Sequence, residues 1–521
     1  MRILTASDRA LLVEAADLDE AMRLNAAWRD VPGVVERVPG ARTVLVRFDP
    51  QRVSAERLAE MLENTPEDAV HRAIGSEVTV PVRYDGDDLT EVAGMLGISA
   101  DEVIARHLAA HWRVAFSGFA PGFGYAVGDD PLFDVPRRST PRTRVPAGAV
   151  GLAGAFTGVY PRSSPGGWQL IGYTDAVMWD VDRDPPALLA PGTRVRFVRA
   201  GSDAIVAAPS SKIPDSTGRD PAGHAVEVVH PSLQLLVQDL GRPGHAALGV
   251  SASGAADRIA LRDANRAVGN AAGAAVLESV GAVSLRFHGD GVAAVTGAVG
   301  ECTMTDAAGG DRPIAHGIPF ATYDGDVLTL GVPRQGLRYT IAVRGGIRMP
   351  VALGSMSTDT LGGLGPAPLT EGDLVPIGSD VIDAVYPYPW PRALPASGDL
   401  VELDITLGPR DDWFTAAALR VLTAQEWLLT QRADRVGIRL LGDKPLQRAV
   451  AGELPSEGAV TGAIQVPPDG QPVLFLADHP VTGGYPVVGA LTDACLDLAG
   501  QLPPGARVRF RTGASGASDR R

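Results

Sequence analysis

The chain has 521 residues and a formal net charge of -14, from 61 acidic against 47 basic side chains; that is too long for one core and disfavours a phosphate-backbone partner such as nucleic acid. Apolar residues make up 45%, no apolar run is long enough for a bilayer span, the first residues lack a secretory layout, and the two cysteines cannot build a disulfide framework. These features point to packed cores in a reducing, cytoplasmic setting without a membrane.

In chain order, residues 1–75 read as a small α+β unit. LLVEA is a short strand, DLDEAMRLNAAWRD repeats Leu18, Met22 and Ala26 at helical spacing, TVLVRFD alternates like a strand, and SAERLAEMLENT is a second helix opened by Ser54. VTVPVRYDG opens a new domain. Two helices follow, for which Asp88 with Glu91 and Ser99 with Glu102 are spaced as capping boxes. HWRVAF returns to strand, and strands and turns run to RVRFVRA. Residues 201–224 are small, polar and Pro-rich and read as a linker. VEVVHPS starts the second half, DRIALRDANRAVG is its first helix, and strands dominate to the Pro-rich stretch near 380–400. Two helices are expected around 411–430, with Thr423 and Glu426 as a capping box, and strands then run to RVRFRT.

The Gly and Pro content, 61 and 41 residues, suits many short strands. An ordered internal echo goes further. PAGAVGLAG parallels SEGAVTGAI, SPGGWQLIG parallels VTGGYPVVG, and LLAPGTRVRF parallels QLPPGARVRF, as duplicated β-barrels would produce.

With two lysines, Lys212 and Lys444, and no GxxxxGK(S/T) loop, any phosphate or carboxylate must be held by arginine, backbone N–H groups or a metal. Arg137, Arg138, Arg142 and Arg144 stand among stiffening prolines with no acid between them, which suits anion binding; a surface loop or pairing with acids of another domain reads equally well. Gly166–Gly167 and Gly483–Gly484 each precede an aromatic and allow either an N–H cradle or a tight barrel corner. Gln238, Asp239 and Arg242 offer an amide, a carboxylate and a guanidinium just after a strand. Asp257 is a helix N-cap or a catalytic carboxylate. His107, four residues before His111, is half of an HExxH pattern, which also fits a locally satisfied helix-end histidine. Asp478 and His479 form a candidate acid/base pair beside a glycine turn, although neighbours on a strand face opposite ways. No Cys/His metal spacing, GxSxG elbow or biotinyl-lysine site is present.

GFAPGFGY, PRRSTPR, VPAGAV, TGVYP and SPGGWQLIG resemble the B subunit of 5-oxoprolinase, also called allophanate hydrolase subunit 1 and related to a sporulation-kinase inhibitor. QDLGRPG, SGAADR, GGIRMPVALGSMSTDTLGG, RVGIRLLG, GAIQVPPDGQP and TGGYP resemble the C subunit, or allophanate hydrolase subunit 2. The chain thus resembles a fusion of the two. The resemblance implies a mainly β protein: a small α+β N-terminal domain (1–75), then three cyclophilin-like β-barrel domains (76–200, 225–380 and 381–512) and a tail (513–521). It also implies an ATP-dependent hydrolase, with Mg2+–ATP as co-substrate and no biotin on this chain. Such an enzyme opens the lactam of 5-oxo-L-proline to L-glutamate together with a separate A component, and a homo-oligomer is compatible with it. A urea carboxylase-type substrate module and a kinase-regulating binding protein are the other readings. Phe156, Ala256, Met356 and His479 stand where the resemblance leads one to expect Gln, Met, Arg and Arg.

Overall fold

The computed structural model describes residues 1–66, 76–138, 140–201, 223–388 and 392–513. The expected linker lies almost wholly, and the expected tail all but its first residue, outside the described residues.

The N-terminal unit is a four-stranded antiparallel sheet, ordered β1 (Arg2–Ser7), β2 (Ala10–Glu14), β4 (Thr43–Phe48), β3 (Val34–Pro39), with helices α1 (Leu18–Ala27) and α2 (Ala55–Asn64). Strand alternation divides its apolar residues between two faces. Leu11, Val13, Val44 and Val46 pack with Trp28, Leu58 and Leu62 from the helical side. Leu4, Leu12, Val38 and Leu45 pack instead with Ala459, Phe475, Val487 and Ala490 of the last barrel. Ser54 caps α2 by accepting from Arg57 N (3.2 Å). Strands β1 and β3 were not expected from the sequence.

The next unit comprises β5 (Glu77–Val82), α3 (Leu89–Leu96), α4 (Ala100–Ala109), β6 (Trp112–Ser117), β7 (Gly124–Val127), β8 (Arg142–Val145), β9 (Ala149–Ala153), β10 (Phe156–Val159), β11 (Ser164–Gly166), β12 (Gln169–Tyr173) and β13 (Arg194–Arg199). Seven strands form a sheet ordered β12-β9-β10-β7-β6-β13-β5, whose two edges meet through an Arg83–Tyr173 bridge. A separate two-stranded strap, β8–β11, lies outside it. Ser99 caps α4, accepting from Glu102 N (3.1 Å). Asp88 is at the N-cap position of α3, but its carboxylate makes no cap bond. The stronger attraction of two guanidinium groups draws it away from the helix end.

The middle unit is built from two sheets with α5 (Arg258–Val268) packed beside them. One has six strands, ordered β20 (Asp311–Pro313), β19 (Cys302–Thr305), β22 (Val327–Leu330), β17 (Val283–His288), β14 (Ala225–His230), β24 (Leu374–Pro376). The other has five, ordered β15 (Gln234–Gln238), β16 (Val276–Val280), β23 (Gln335–Val343), β18 (Gly291–Val299), β21 (Phe320–Thr322). Their facing sides share one core, including Val226, Leu285, Ile341 and Leu328.

The last unit is a closed barrel, ordered β25 (Leu400–Leu407), β32 (Val487–Leu491), β29 (Ala463–Gln465), β30 (Val473–Phe475), β27 (Gly437–Leu441), β26 (Trp427–Ala433), β33 (Arg507–Thr512), with a strap of β28 (Glu457–Gly458) and β31 (Thr482–Gly483). The three sequence echoes fall on this unit and on the 76–201 unit. Two helices were expected at 411–430. A single short turn of helix at Asp411–Trp413 precedes one α-helix, α6 (Ala416–Ala424), capped by Thr415. Thr423 lies inside α6 and Glu426 pairs with Arg507 and Arg509, so these two do not form a capping box. Helix α7 (Asp493–Ala499) was also unexpected. No helix among the described residues is long and apolar enough to cross a membrane.

Candidate functional site

The arginine-rich segment divides in two. Arg138 Nη1 and Arg142 Nη2 both donate to Asp88 Oδ1 at 2.7 Å, and Leu170 N donates to Asp88 Oδ2 at 2.7 Å. Burial pushes the Asp88 carboxyl up, but the Arg142 hydrogen bond, the Leu170 N–H and the two guanidinium charges outweigh it and hold it below the usual range. These two arginines are therefore paired with an acid of their own barrel and not of another domain, while Arg138 Nε and Arg142 Nη1 have no hydrogen-bond partner. Arg144 is exposed and donates to Ser163 (3.1 Å). Arg137 behaves differently: it crosses to the last barrel, where Nη2 donates to Ser456 Oγ (2.8 Å). It has no carboxylate partner among the described residues.

Of the two glycine turns, the one at Gly484 lies against Arg137, whereas Gly166 and Gly167 face Tyr160, Pro141 and the Arg138 carbonyl. A side chain on Gly484 would run into Arg137 Nη1, and one on Gly166 would run into the Tyr160 hydroxyl. Gly167 accepts from Arg138 N (2.8 Å), and the space beside Gly483 is taken by the Gln465 amide. Both turns thus allow close approach by protein groups. Phe119 N donates to Thr482 Oγ1 (2.8 Å), and the Tyr125 hydroxyl is within hydrogen-bonding distance of both Thr482 (3.3 Å) and Ser456 (3.4 Å). Tyr485 lies beneath Arg448, whose guanidinium is 6.0 Å from the ring centre. This seam between the first and last barrels therefore combines a guanidinium free of carboxylates, the Tyr125 phenol and the hydroxyls of Ser456 and Thr482.

A second polar group sits where the loop after β15 meets residues 355–365 and the loop before β31. Asp239 is fully engaged. Its carboxylate accepts from Gly241 N (2.7 Å), Ser355 Oγ (2.6 Å), Met356 N (2.7 Å) and Ser357 Oγ (2.5 Å). Gln238 donates to Thr358 O (2.9 Å) and Arg242 donates through Nε to Ala352 O (3.2 Å). Asp478 pairs with the fully enclosed Arg435, each guanidinium–carboxylate hydrogen bond being 3.0 Å, and accepts from Ser253 Oγ (2.6 Å) and Thr360 Oγ1 (2.7 Å). Arg435 Nη1 also donates to Glu278 (2.5 Å). Burial opposes the Asp478 charge, but Arg435 and these donors win and hold its pKa down.

The remaining candidates are set apart from both regions by their own contacts. His107 is wholly buried among Trp112, Phe133 and Phe197, with Nδ1 2.8 Å from the Tyr84 hydroxyl and Nε2 3.0 Å from Thr157 Oγ1. Burial lowers its pKa to about 3. A ring sealed in a core with both nitrogens occupied cannot exchange protons with a substrate, so its place among the catalytic candidates is withdrawn. Asp257 caps α5 through Ala260 N (3.0 Å) and receives Arg392 at 2.8 Å on each oxygen, so its cap role is the one observed. Burial nevertheless raises its pKa. His479 stacks on Phe475 at 11° and shares a 2.9 Å contact with Pro480 O, turned away from Asp478's partners. Burial takes it down to about 4. The adjacent Asp and His therefore do not act as a pair. Phe156 adds an edge contact to Phe116 and Tyr125.

Sequence reasoning missed Arg435, Glu278 and Asp359. A lone arginine in ADRVG has no local signal; Asp359 does lie in the glycine-rich SMSTDTLGG run. Among the described residues no group of three His, Cys, Asp or Glu could hold a metal. A cavity of about 440 Å³ is lined by none of these groups but by Val31, Pro32, Met61 and Thr65 of the N-terminal unit.

Two family descriptions match the chain: "Carboxyltransferase domain, subdomain C and D" over residues 1–189, and "Carboxyltransferase domain, subdomain A and B" over residues 248–512. It is 39% identical over 191 residues to the 5-oxoprolinase B subunit of Escherichia coli O157:H7, covering 36% of this chain and 87% of that protein. It is 35% identical over 297 residues to the 5-oxoprolinase C subunit of Escherichia coli K12, covering 55% of this chain and 90% of that protein. The urea amidolyase of Lachancea kluyveri is 31% identical over 329 residues, covering 58% of this chain but 17% of that protein. The solved structure of TTHA0988 is similar along almost the whole length, with 35% identity and a TM-score of 0.82, covering 96% of this chain and 99% of that one.

Proposed function

The chain belongs to the carboxyltransferase-domain family, with subdomains C and D ahead of A and B, and from that premise we propose that it is the joined B–C component of an ATP-dependent 5-oxoprolinase. With a separate A component it opens the lactam of 5-oxo-L-proline to L-glutamate. The observation that carries this reading is tandem coverage. One chain spans 87% of a 5-oxoprolinase B subunit and 90% of a C subunit, against 17% of a urea amidolyase. Joining the two keeps them at equal stoichiometry and high effective concentration.

A lactam is a resonance-stabilised amide, and transfer of a phosphoryl group to its oxygen would make the carbonyl carbon electrophilic. In this scheme Mg2+–ATP is a substrate of the assembly. Arg137 holds the reaction's anion at the seam, where Ser456, Tyr485 and the turn at Gly483 and Gly484 surround it. Gln238 and Arg242 contribute polar contacts from the loop after β15. Asp239, Asp257 and Asp478 support the geometry from their hydrogen-bonded positions.

The test is release of glutamate and phosphate from 5-oxoproline and ATP by the full chain mixed with a 5-oxoprolinase A component. Both products are expected at equal stoichiometry, and neither protein alone should give them. ATP hydrolysis dependent on urea and a biotin carboxylase partner, with none on 5-oxoproline, would replace this reading with the urea module. Absence of ATP-dependent chemistry with either substrate would leave a binding protein.

A further inference from the structure

Three side chains at the loop junction keep one polar atom free while using their other atoms to fix themselves. Gln238, Arg242 and Asp359 are 0%, 2% and 1% exposed. Gln238 Nε2 donates to Thr358 O at 2.9 Å, and its Oε1 has no partner. Arg242 donates through Nε to Ala352 O and through Nη2 to Ser357 O, and its Nη1 has no partner. Asp359 Oδ1 accepts from Leu361 N (3.0 Å) and Gly362 N (2.7 Å), and its Oδ2 has no partner. Buried polar atoms are usually paired in folded proteins; of the fifteen unpaired side-chain atoms among the described residues, these three fall together on two touching loops.

The three belong together. Gln238 bonds the carbonyl of the residue before Asp359, and Arg242 bonds the carbonyl of Ser357 in the same loop. Asp239 already accepts four bonds and Asp478 is paired with Arg435, while Arg242 and Asp359 attract one another without a hydrogen bond between them. What is left is one guanidinium N–H donor, one amide oxygen acceptor and one carboxyl oxygen, each held by the bonded half of its own side chain.

We propose that Gln238, Arg242 and Asp359 form a subsite for the edge of a small cis amide, a lactam in particular; this rests on the reading that the chain handles a cyclic amide. A ring holds an amide's C=O and N–H on the same side, so the group presents an acceptor and a donor along one edge. A trans amide points them in opposite directions. Arg242 Nη1 meets the carbonyl oxygen, where a cationic donor also draws electrons from the carbonyl carbon. Asp359 Oδ2 and Gln238 Oε1 meet the N–H. Burial, with Asp478 next, pushes the Asp359 carboxyl up to about 6 against the pull of the Gly362 N–H, Arg242 and Arg435, so that oxygen can serve as acceptor or donor near neutrality. Pro121 of the first barrel sits against Gly362, beside Asp359 Oδ2.

The experiment uses the full chain and two neutral probes, 2-pyrrolidinone as the cis amide and N-methylacetamide as the trans control. Saturation-transfer NMR and calorimetric titration should give binding of 2-pyrrolidinone at least 10-fold tighter than of N-methylacetamide, weakened at least 10-fold in Asp359→Asn and in Arg242→Lys. A crystal of the unmutated chain soaked with 2-pyrrolidinone should place the lactam edge on the three free atoms, and this holds even if a variant fails to fold. Ordered water alone at the trio, or equal binding of both probes, overturns the subsite. If Asp359→Asn opens 5-oxoproline with unmutated kcat and KM, the subsite fails while the 5-oxoprolinase reading stands. If the unmutated assembly opens no 5-oxoproline but binds 2-pyrrolidinone through the trio, the reading fails and the subsite stands.

Discussion

The 76–201 unit and the last barrel are the same object with the charges exchanged. Their seven strands follow one order, and in each the final strand pairs parallel with the first, β13 with β5 and β33 with β25. Trp112 Nε1 donates to His107 O and Trp427 Nε1 to Leu422 O, both at 2.9 Å. Asp88 N donates to Leu170 O and Arg410 N to Val487 O, again both at 2.9 Å. In the strap of each unit one residue faces the first glycine of the GG turn: Arg142 opposite Gly166, and Glu457 opposite Gly483. Arg142 ties its strap to Asp88, whereas Glu457 ties its strap to Arg410. The barrel thus requires an ion pair between its strap and the loop after its first strand, and is indifferent to which side carries the positive charge. What differs between the two is how dry the pair is. Arg410 and Glu457 are 6% and 4% exposed, while Arg138 and Arg142 retain 30% and 21%.

That difference in solvent exposure sets the largest expected effect. Arg410→Met leaves Glu457 buried without a cation and also removes the bond to Glu14, through which the N-terminal sheet is tied to the last barrel. Breaking one side of a buried pair costs about 3–5 kcal/mol. Asp88→Asn leaves two guanidinium groups that water can still reach, so the cost should be about 1–2 kcal/mol. Scanning calorimetry of both variants decides the point; equal losses would mean that burial does not distinguish the two latches.

His107 and Leu422 sharpen the comparison at the core. They occupy matching places, five residues before the matched tryptophans, so a leucine side chain fits the architecture there. His107→Leu should cost about 1–2 kcal/mol at pH 7, because Tyr84 and Thr157 lose their partner. The pH dependence should respond as well. The folded-state pKa of His107 lies below its unfolded value, so the unfolded chain binds more protons and stability is lost as pH falls from about 6.5 toward 3. His107→Leu should flatten that slope in part; His479, lowered to about 4 by burial, adds a share of the same sign, and the carboxylates held below their usual range, Asp88 among them, add more at the acid end. A slope unchanged by the substitution in urea melts across this range would place the acid sensitivity elsewhere.

How much of this was legible in the sequence depended on the range of the interaction. Alternation and helical spacing are local, so β4, β5, α1 and α5 could be read directly, and the echoes fell on the barrels that turn out to share a strand order. Asp88 and Ser99 have the same cap spacing, yet only Ser99 caps, because Asp88 answers to arginines 50 and 54 residues away. Asp257 was legible as a cap because Ala260 is three residues on. The density of arginines at 137–144 was visible, but their separation into an Asp88 latch and a seam residue was not. Arg435 joins Asp478 and Glu278 at separations of 43 and 157 residues, with nothing nearby in the chain to announce it.

The smallest expected change in stability tests an arginine of the segment, Arg137, that has no counterpart in the charge exchange. Arg137 donates to a neutral hydroxyl and packs against a glycine, so Arg137→Ala forfeits no ion pair, and its melting temperature should correspond to a loss within about 0.5 kcal/mol. Under the proposed function the same substitution should lower kcat/KM for ATP-dependent lactam opening about 10- to 100-fold, or ~1.4–2.7 kcal/mol of transition-state binding. Arg138→Ala should do the reverse, weakening the Asp88 latch while turnover stays near that of the unmutated assembly. Turnover and melting curves of the two variants, measured side by side with the A component, separate a ligand-holding guanidinium from a structural one. If both lose turnover equally while only Arg138→Ala melts earlier, the anion is held by the strap as a whole, and the Asp88 pair is then part of the binding site as well as of the barrel.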